Sequence, residues 1–318
     1  MRTKQTILAI STLSACLLFI ALQVNVGEGD LATVSGQITR TQSGAQATSQ
    51  MESRTAVSSD LGQEATRSET SPLISTGAIL RPLPGVRFHH DLSAQSSTRI
   101  SLAGQGQTVD ISLKGELVIS VLGEKEGVKV LGLRVRDAVL SANADGQQTD
   151  PSSEEEFSKR ALQLNDDSLV QLDANGRAVG VLPAEGIGEV ATQWVRALAA
   201  QLQLDQPEGA KRSWQTIQSD GTGEVLVEYQ ELGTESVTQR EFNRRRLNYT
   251  HELGQEDVPV SPNLSGSTRL SVSLADGWFI DLNADEVTEL NISSQEFSAT
   301  ASVKIHINRT KVEPCDPL

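Results

Sequence analysis

Cysteine is nearly missing from this chain of 318 residues: only Cys16 and Cys315 are present. One lies in an apolar N-terminal run and the other near the C-terminus, so they cannot frame a domain with disulfides. Histidine is almost as rare, and its four copies are scattered without metal-ligand spacing. No metal or other cofactor is expected. Aromatic residues make up 3% of the chain, which makes a dense core harder to build. Basic charge is in the minority, 27 Lys and Arg against 41 Asp and Glu. A field of that sign repels phosphate, which excludes nucleic acid as an expected partner.

Catalytic signatures are also lacking. The stretch "AGQGQT" has neither the lysine nor the spacing of a phosphate loop. No G-x-S-x-G elbow occurs. "DLNADE", Asp281 to Glu286, starts like a calcium loop, but Glu286 stands where glycine is required and Ile292 where the bidentate glutamate belongs. A hairpin turn is expected there. His89 and His90 are neighbours on a strand, so they point to opposite faces and cannot share a metal ion. His306 alternates with Lys304 and is expected on a wet face. "NRRRLNY", Asn243 to Tyr249, is expected as an exposed loop; its three arginines suit anionic headgroups or an acidic partner. Asn248, Asn263, Asn291 and Asn308 begin glycosylation sequons, relevant only on a eukaryotic secretory route. The chain is not expected to be an enzyme.

What is present begins with an address. Arg2 and Lys4 precede Ile7 to Val24, which carry no charge. Such a run is close to the ~20 residues that span a bilayer core. The basic end stays cytoplasmic, which puts the rest across the membrane. Residues 1–26 therefore read as a signal peptide or signal anchor, with the membrane as partner through residues 7–24. Three fates stay open: retention as an anchor, cleavage near Gly29, and lipidation at Cys16 in the box-like "LSAC". Each leaves the remainder in the cell envelope, on its periplasmic or extracytoplasmic face, or exported.

Residues 27–76 have few bulky apolar side chains and no sustained period, so they cannot repay the entropy of ordering. A flexible linker rich in Ser, Thr, Gly and Gln is expected. From residue 77 to 318 the pattern turns to strands. Val86, Phe88, Leu92, Ile100 and Leu102 share one phase. Ile111, Leu113, Leu117, Ile119 and Val121 alternate with polar residues. The phase of the next run slips near Gly132, as at a β-bulge. Leu270, Val272 and Leu274, then Trp278, Ile280 and Leu282, continue the alternation. The last run puts Ala299, Ala301, Val303, Ile305 and Ile307 on one side. Short turns predict antiparallel neighbours. Asn175-Gly176 is a strong hairpin signal, and "LDAN" at 172–175 is echoed by "LNAD" at 282–285.

Two helices interrupt the strands. Ser153 with Glu156 fits a capping box, predicting a short helix near 154–162. In 187–203 the residues Ile187, Val190, Trp194, Leu198 and Leu202 form one helical face, and alanines extend it far around. So bland a helix suits a core position with a curved sheet around it; a helix lying on an open sheet needs only one apolar stripe. The fold class expected is mainly β, an antiparallel sheet curved into a barrel or half-barrel around one central helix.

After that helix come Leu202-Gln203, Trp214, Asp220, Gly223 and Tyr229. Their order and spacing resemble the N-terminal β-barrel of the large lipid transfer proteins: vitellogenin, apolipoprotein B and the microsomal triglyceride transfer protein. Gln218 stands where that family usually has Glu, and Val225 where it usually has Cys, which removes the family's barrel disulfide. The resemblance implies strands curving around a central helix, with Trp214, Asp220, Gly223 and Tyr229 as structural residues. It also implies a lipid or acyl chain as ligand, with Ile187, Val190, Trp194, Leu198 and Leu202 as the lipid-facing residues. The family's lipid cavity is built by parts that follow the barrel, and this sequence ends at Leu318 without them. The function expected is a non-enzymatic envelope protein that binds lipid or helps transport it. The alternative is a structural or docking module for an envelope protein partner, without a ligand.

Overall fold

The computed structural model describes residues 80–317, apart from 103–104, 146, 149–150, 208, 220–223, 234–237, 251–252, 256–257, 261 and 293–296. The membrane-length run 7–24, Cys16 and the linker 27–76 lie outside the described residues. No described helix is long and apolar enough to cross a membrane.

The chain opens with three long strands, β1 (Val86–Leu102), β2 (Gln105–Lys125) and β3 (Val128–Ala144). A short β4 (Gln147–Gln148) leads to helix α1 (Pro151–Gln163), then to β5 (Ser168–Leu172) and β6 (Ala178–Leu182). Helix α2 (Glu189–Gln201) follows. Next come β7 (Ser213–Ser219), β8 (Glu224–Glu231) and β9 (Gln239–Tyr249). A small ribbon of β10 (Leu253–Gln255) and β11 (Val258–Val260) precedes β12 (Asn263–Ser273), β13 (Phe279–Ile292) and β14 (Phe297–Pro314). The main strands form one antiparallel sheet in the order β6-β5-β3-β2-β1-β14-β13-β12-β9-β8-β7. The first and last strands of the chain's long runs, β1 and β14, pair over their full lengths at its centre.

The sheet does not close. Its edges, β6 and β7, do not pair with each other, so the barrel alternative is corrected to an open antiparallel sheet. The chain that joins the two edges is α2. Residues 190–195 of α2 are all buried, more than one full turn, and Arg196 is exposed. Trp194, Leu198 and Leu202 belong to one core with residues of β1, β2, β3, β5, β8, β9, β12, β13 and β14. A helix covered over most of its circumference needs little charge, which accounts for the blandness of its sequence. Gly188 caps the helix without a side-chain bond. Its N–H donates instead to Oε1 of Gln163 at the end of α1 (3.2 Å).

Register explains where the sequence pattern misleads. β2 and β3 slip twice, once around Leu122 opposite Val130 and Leu131, close to the slip expected at Gly132. The second slip sets Asp137 and Ala138 against Gly115. Asp281 to Glu286 is not a hairpin turn but the middle of β13, with Leu282, Ala284 and Glu286 facing inward. The echo of "LDAN" therefore has no structural counterpart: Asn175-Gly176 does turn the chain between β5 and β6, whereas "LNAD" runs straight. β12 and β13 slip at Ser271/Val272, so Phe279 rather than Ile280 faces the core, and Leu274 is exposed.

The base of the sheet is tied by the first described residues. Leu80 is buried against Gly176, and the N–H of Arg81 donates to the carbonyl of Gly277 in the β12–β13 turn (3.0 Å). Both seats need glycine. A Cβ on Gly277 (φ +64) would stand 2.7 Å from the carbonyl carbon of Arg81, and one on Gly176 (φ +84) 2.9 Å from the Leu204 carbonyl oxygen. The strap links turns from opposite halves of the sheet. Phe88, Trp278 and Phe279 pack beside it, with Phe88 and Trp278 stacked at 5.7 Å.

Candidate functional site

At the C-terminal end of α2 the apolar core gives way to buried polar groups. Strand alternation puts Phe242, Arg244 and Arg246 on the inner side of β9. "NRRRLNY" is therefore no exposed loop: it is a strand, and Arg244 is 3% exposed. Its Nη1 donates to the carbonyls of Ala200 (3.4 Å) and Gln201 (3.2 Å), satisfying acceptors that a helix end leaves open. Its Nη2 donates to Oγ1 of Thr268 (3.1 Å) and to the side chain of Gln201.

Glu286, buried on β13, accepts a hydrogen bond from Thr268 (2.6 Å) and lies 3.5 Å from Arg244 Nη2 and 3.7 Å from Arg246 Nη1. Burial alone would push its carboxyl up; the two guanidinium groups and the Thr268 hydroxyl outweigh burial and hold it below the usual carboxylate range. Arg246 also donates to the hydroxyl of Tyr249 (2.8 Å).

Trp214 and Tyr229, with Asp205 and Gln218, build the adjoining wall. Trp214 and Tyr229 face each other across β7 and β8 with rings stacked at 5.2 Å. Trp214 Nε1 donates to the carbonyl of Asp205 (2.6 Å), and the Thr216 hydroxyl donates to the Asp205 carboxylate. Burial pushes the Asp205 carboxyl up, against the pull of Thr216. Gln218 donates to the Tyr229 hydroxyl (2.7 Å), and burial pushes that phenol up as well. Val225 is buried directly opposite Gln218. Asp220 and Gly223 lie outside the described residues.

Val190, Trp194, Leu198 and Leu202 are buried in the common core, and Ile187 packs half-buried against it. They come together, but as packing residues. A small cavity of about 30 Å³ opens between the last turn of α2 and the inner face of β7–β9, lined by Gln201, Gln203, Gln218, Val225, Arg244 and Arg246 among others. A larger hollow of about 350 Å³ lies on the outer face, lined by polar side chains such as Gln95, Asp110, Ser112, Ser141 and Lys304.

The histidines part as strand geometry requires. His90 faces the core, and burial lowers its pKa to about 4; its Nε2 lies 3.4 Å from the Phe279 carbonyl. His89 sits on the other face between Glu116 (2.8 Å) and Glu313 (2.9 Å). His306 is exposed beside Lys304. Among the described residues no group of three His, Cys, Asp or Glu side chains is placed to hold a metal ion.

Sequence reasoning missed Arg244, Thr268 and Glu286. A signal for them existed: Phe242 sets the inward phase of β9, and Leu282 with Ala284 sets that of β13, so the charged residues two further on had to face inward too.

No protein-family model matches the sequence, and no curated protein matches it. Among solved structures, the fold is similar to the β-sheet region of lipovitellin, in a structure of its lipid–protein interactions. The TM-score is 0.57 at 11% identity, over 75% of this chain and 26% of that one. The chain thus spans about a quarter of the length of lipovitellin. A DUF1329 family protein from Desulfovibrio piger aligns at a TM-score of 0.14 and 9% identity, over 70% of this chain and 85% of that one. That score carries no fold argument.

Proposed function

We propose that this chain is a non-enzymatic protein of the cell envelope that binds lipid or helps to move it, held to the membrane through residues 7–24 or exported. The observation that supports the reading is the likeness of its sheet to that of lipovitellin, together with the family-like order of Leu202-Gln203, Trp214 and Tyr229. An open sheet with an apolar inner face is a physically suitable wall for an acyl chain, since burying apolar surface is worth roughly 25 cal/mol per Å².

The test is a titration of the delipidated full-length protein with fluorescent fatty acids and phospholipids. Saturable binding is the expected result, and its absence overturns the reading. One observation favours a second reading, a docking module without ligand: Trp194 and its neighbours are packed into the core rather than lining a large cavity. That reading expects no saturable lipid binding and a protein partner recovered by crosslinking in membranes.

A further inference from the structure

We propose that the base of the sheet is a membrane-contact surface, at which exposed leucines enter an anionic bilayer and basic residues beside them meet its headgroups. This goes beyond the reading above, because it concerns the outside of the protein and does not need a lipid to be held within the sheet.

The surface is built at the turns. Leu83 in the strap is 65% exposed, Leu274 in the β12–β13 turn 47% and Leu232 just past β8 45%. Single exposed leucines are ordinary on a soluble protein. Here three of the five exposed leucines among the described residues share one end of the sheet; the other two, Leu162 and Leu182, lie on α1 and β6. Backbone bonds set the three sites in a row. The N–H of Arg81 donates to the Gly277 carbonyl (3.0 Å), that of Leu274 to the Thr238 carbonyl (2.9 Å) and that of Glu231 to the Arg212 carbonyl (2.7 Å). Apolar side chains grouped at one margin, with basic neighbours, suit the boundary between headgroups and acyl chains.

Charge names the partner. The chain carries a net charge of −14, so as a whole it is repelled by an anionic surface and can approach one only by a locally basic face. Arg81 stands two residues from Leu83, and Arg212 and Lys211 run beside Glu231 and Leu232; all three basic residues are exposed. The carboxylates next to Leu232 and in the Leu274 turn are already engaged, Glu231 by Arg240 (3.5 Å) and Asp276 by Arg309 (2.7 Å). The chain also enters the sheet here. Residues 1–79, with the uncharged run 7–24, precede Leu80, which is seated on this same base. A bilayer that holds that run is joined to the base by a shorter length of chain than to any other part of the sheet.

The experiment uses the full-length protein with Cys16→Ser and Cys315→Ser, and an environment-sensitive NBD dye on one introduced cysteine: Leu83→Cys, Leu274→Cys or, off the base, Leu162→Cys. Near-ultraviolet circular dichroism checks that each variant is folded. Vesicles of phosphatidylcholine with about a third phosphatidylglycerol are then added. The dye is expected to brighten and shift to the blue at positions 83 and 274 and to stay wet at 162. Insertion of the run 7–24 alone does not produce that pattern, because the readout is by position. Adding Arg81→Gln and Arg212→Gln is expected to raise the vesicle concentration needed about tenfold, the effect of two basic residues at an anionic surface. Dyes at 83 and 274 that stay as wet as at 162 overturn the proposal, and so does an equal response at all three positions, which is non-specific adsorption. An unaltered response in the arginine variant overturns the assignment to anionic lipid. A response that grows with protein concentration without vesicles assigns the base to a second copy of this chain and also overturns it. The titration of delipidated protein with fatty acids and phospholipids is independent of all these outcomes, so the two readings fail separately.

Discussion

Arg244 and Glu286, on strands separated by β12, approach to 3.5 Å inside the protein, and Thr268 between them bonds to both. The pair joins the end of α2 to the middle of the sheet. Removing one partner leaves the other buried and uncompensated, so Arg244→Met is expected to cost roughly 3–5 kcal/mol. The double variant Arg244→Met with Glu286→Met is expected to be more stable than the sum of the singles implies. Urea unfolding of the four proteins in a cycle measures that coupling.

Acid should loosen this protein through His90. Its pKa is lowered from 6.5 to about 4 because burial disfavours the imidazolium. The unfolded chain then takes up a proton below pH 6.5 that the folded chain refuses. The stabilisation is present above 6.5 and is lost as pH falls from 6.5 towards 4, by up to roughly 3 kcal/mol. Glu286, whose carboxyl is held down, adds stability that is lost at still lower pH, as it is protonated. His90→Gln is expected to flatten the upper part of the stability–pH curve and Glu286→Gln the lower part. Urea midpoints measured from pH 8 to 3 check both.

Trp194 is 4% exposed, and its indole N–H has no partner among the described residues. Trp194→Ala should therefore cost roughly 3–5 kcal/mol through the cavity it leaves. Trp194→Phe sacrifices no hydrogen bond and should cost less than half as much. Thermal unfolding distinguishes this from an indole that is bonded, for which the two substitutions would differ less.

The base strap depends on the absence of a side chain at Gly277. Gly277→Ala forces a Cβ against the backbone of Arg81 at a positive φ and is expected to cost roughly 1–3 kcal/mol. Limited proteolysis should then cut near Arg81 faster than in the unaltered protein.

Much of this architecture could be read from residue patterns because it is local. Alternation along β1, β2 and β14, the Asn175-Gly176 turn and the apolar wrap of α2 each report on a few consecutive residues. What stayed hidden is non-local. The phase of Phe242 turns Arg244 inward, but nothing nearby shows that it meets a helix end 43 residues away, so Asn243 to Tyr249 looks like a solvated charge run. Asp281 to Glu286 looks like a turn because its inward carboxylate is acceptable only with arginines from β9. The sequence left a barrel and a half-barrel both open, since whether two edges meet depends on all eleven strands together rather than on any one of them. Of the candidate site, Trp214 and Tyr229 were visible through their spacing, and the ionic cluster was not.

The seam between β6 and β7 is held differently from the rest of the sheet. Among the described residues, single bonds tie the β6 margin to the segment between α2 and β7: the Ala178 N–H donates to Gln203 Oε1 (3.2 Å) and the Leu204 N–H to the Gly176 carbonyl (3.2 Å). No ladder of backbone bonds joins these two margins, whereas every other pair of neighbouring strands in the sheet is held by one. α2 is what stands along this open line, its buried residues filling the gap that strand pairing leaves.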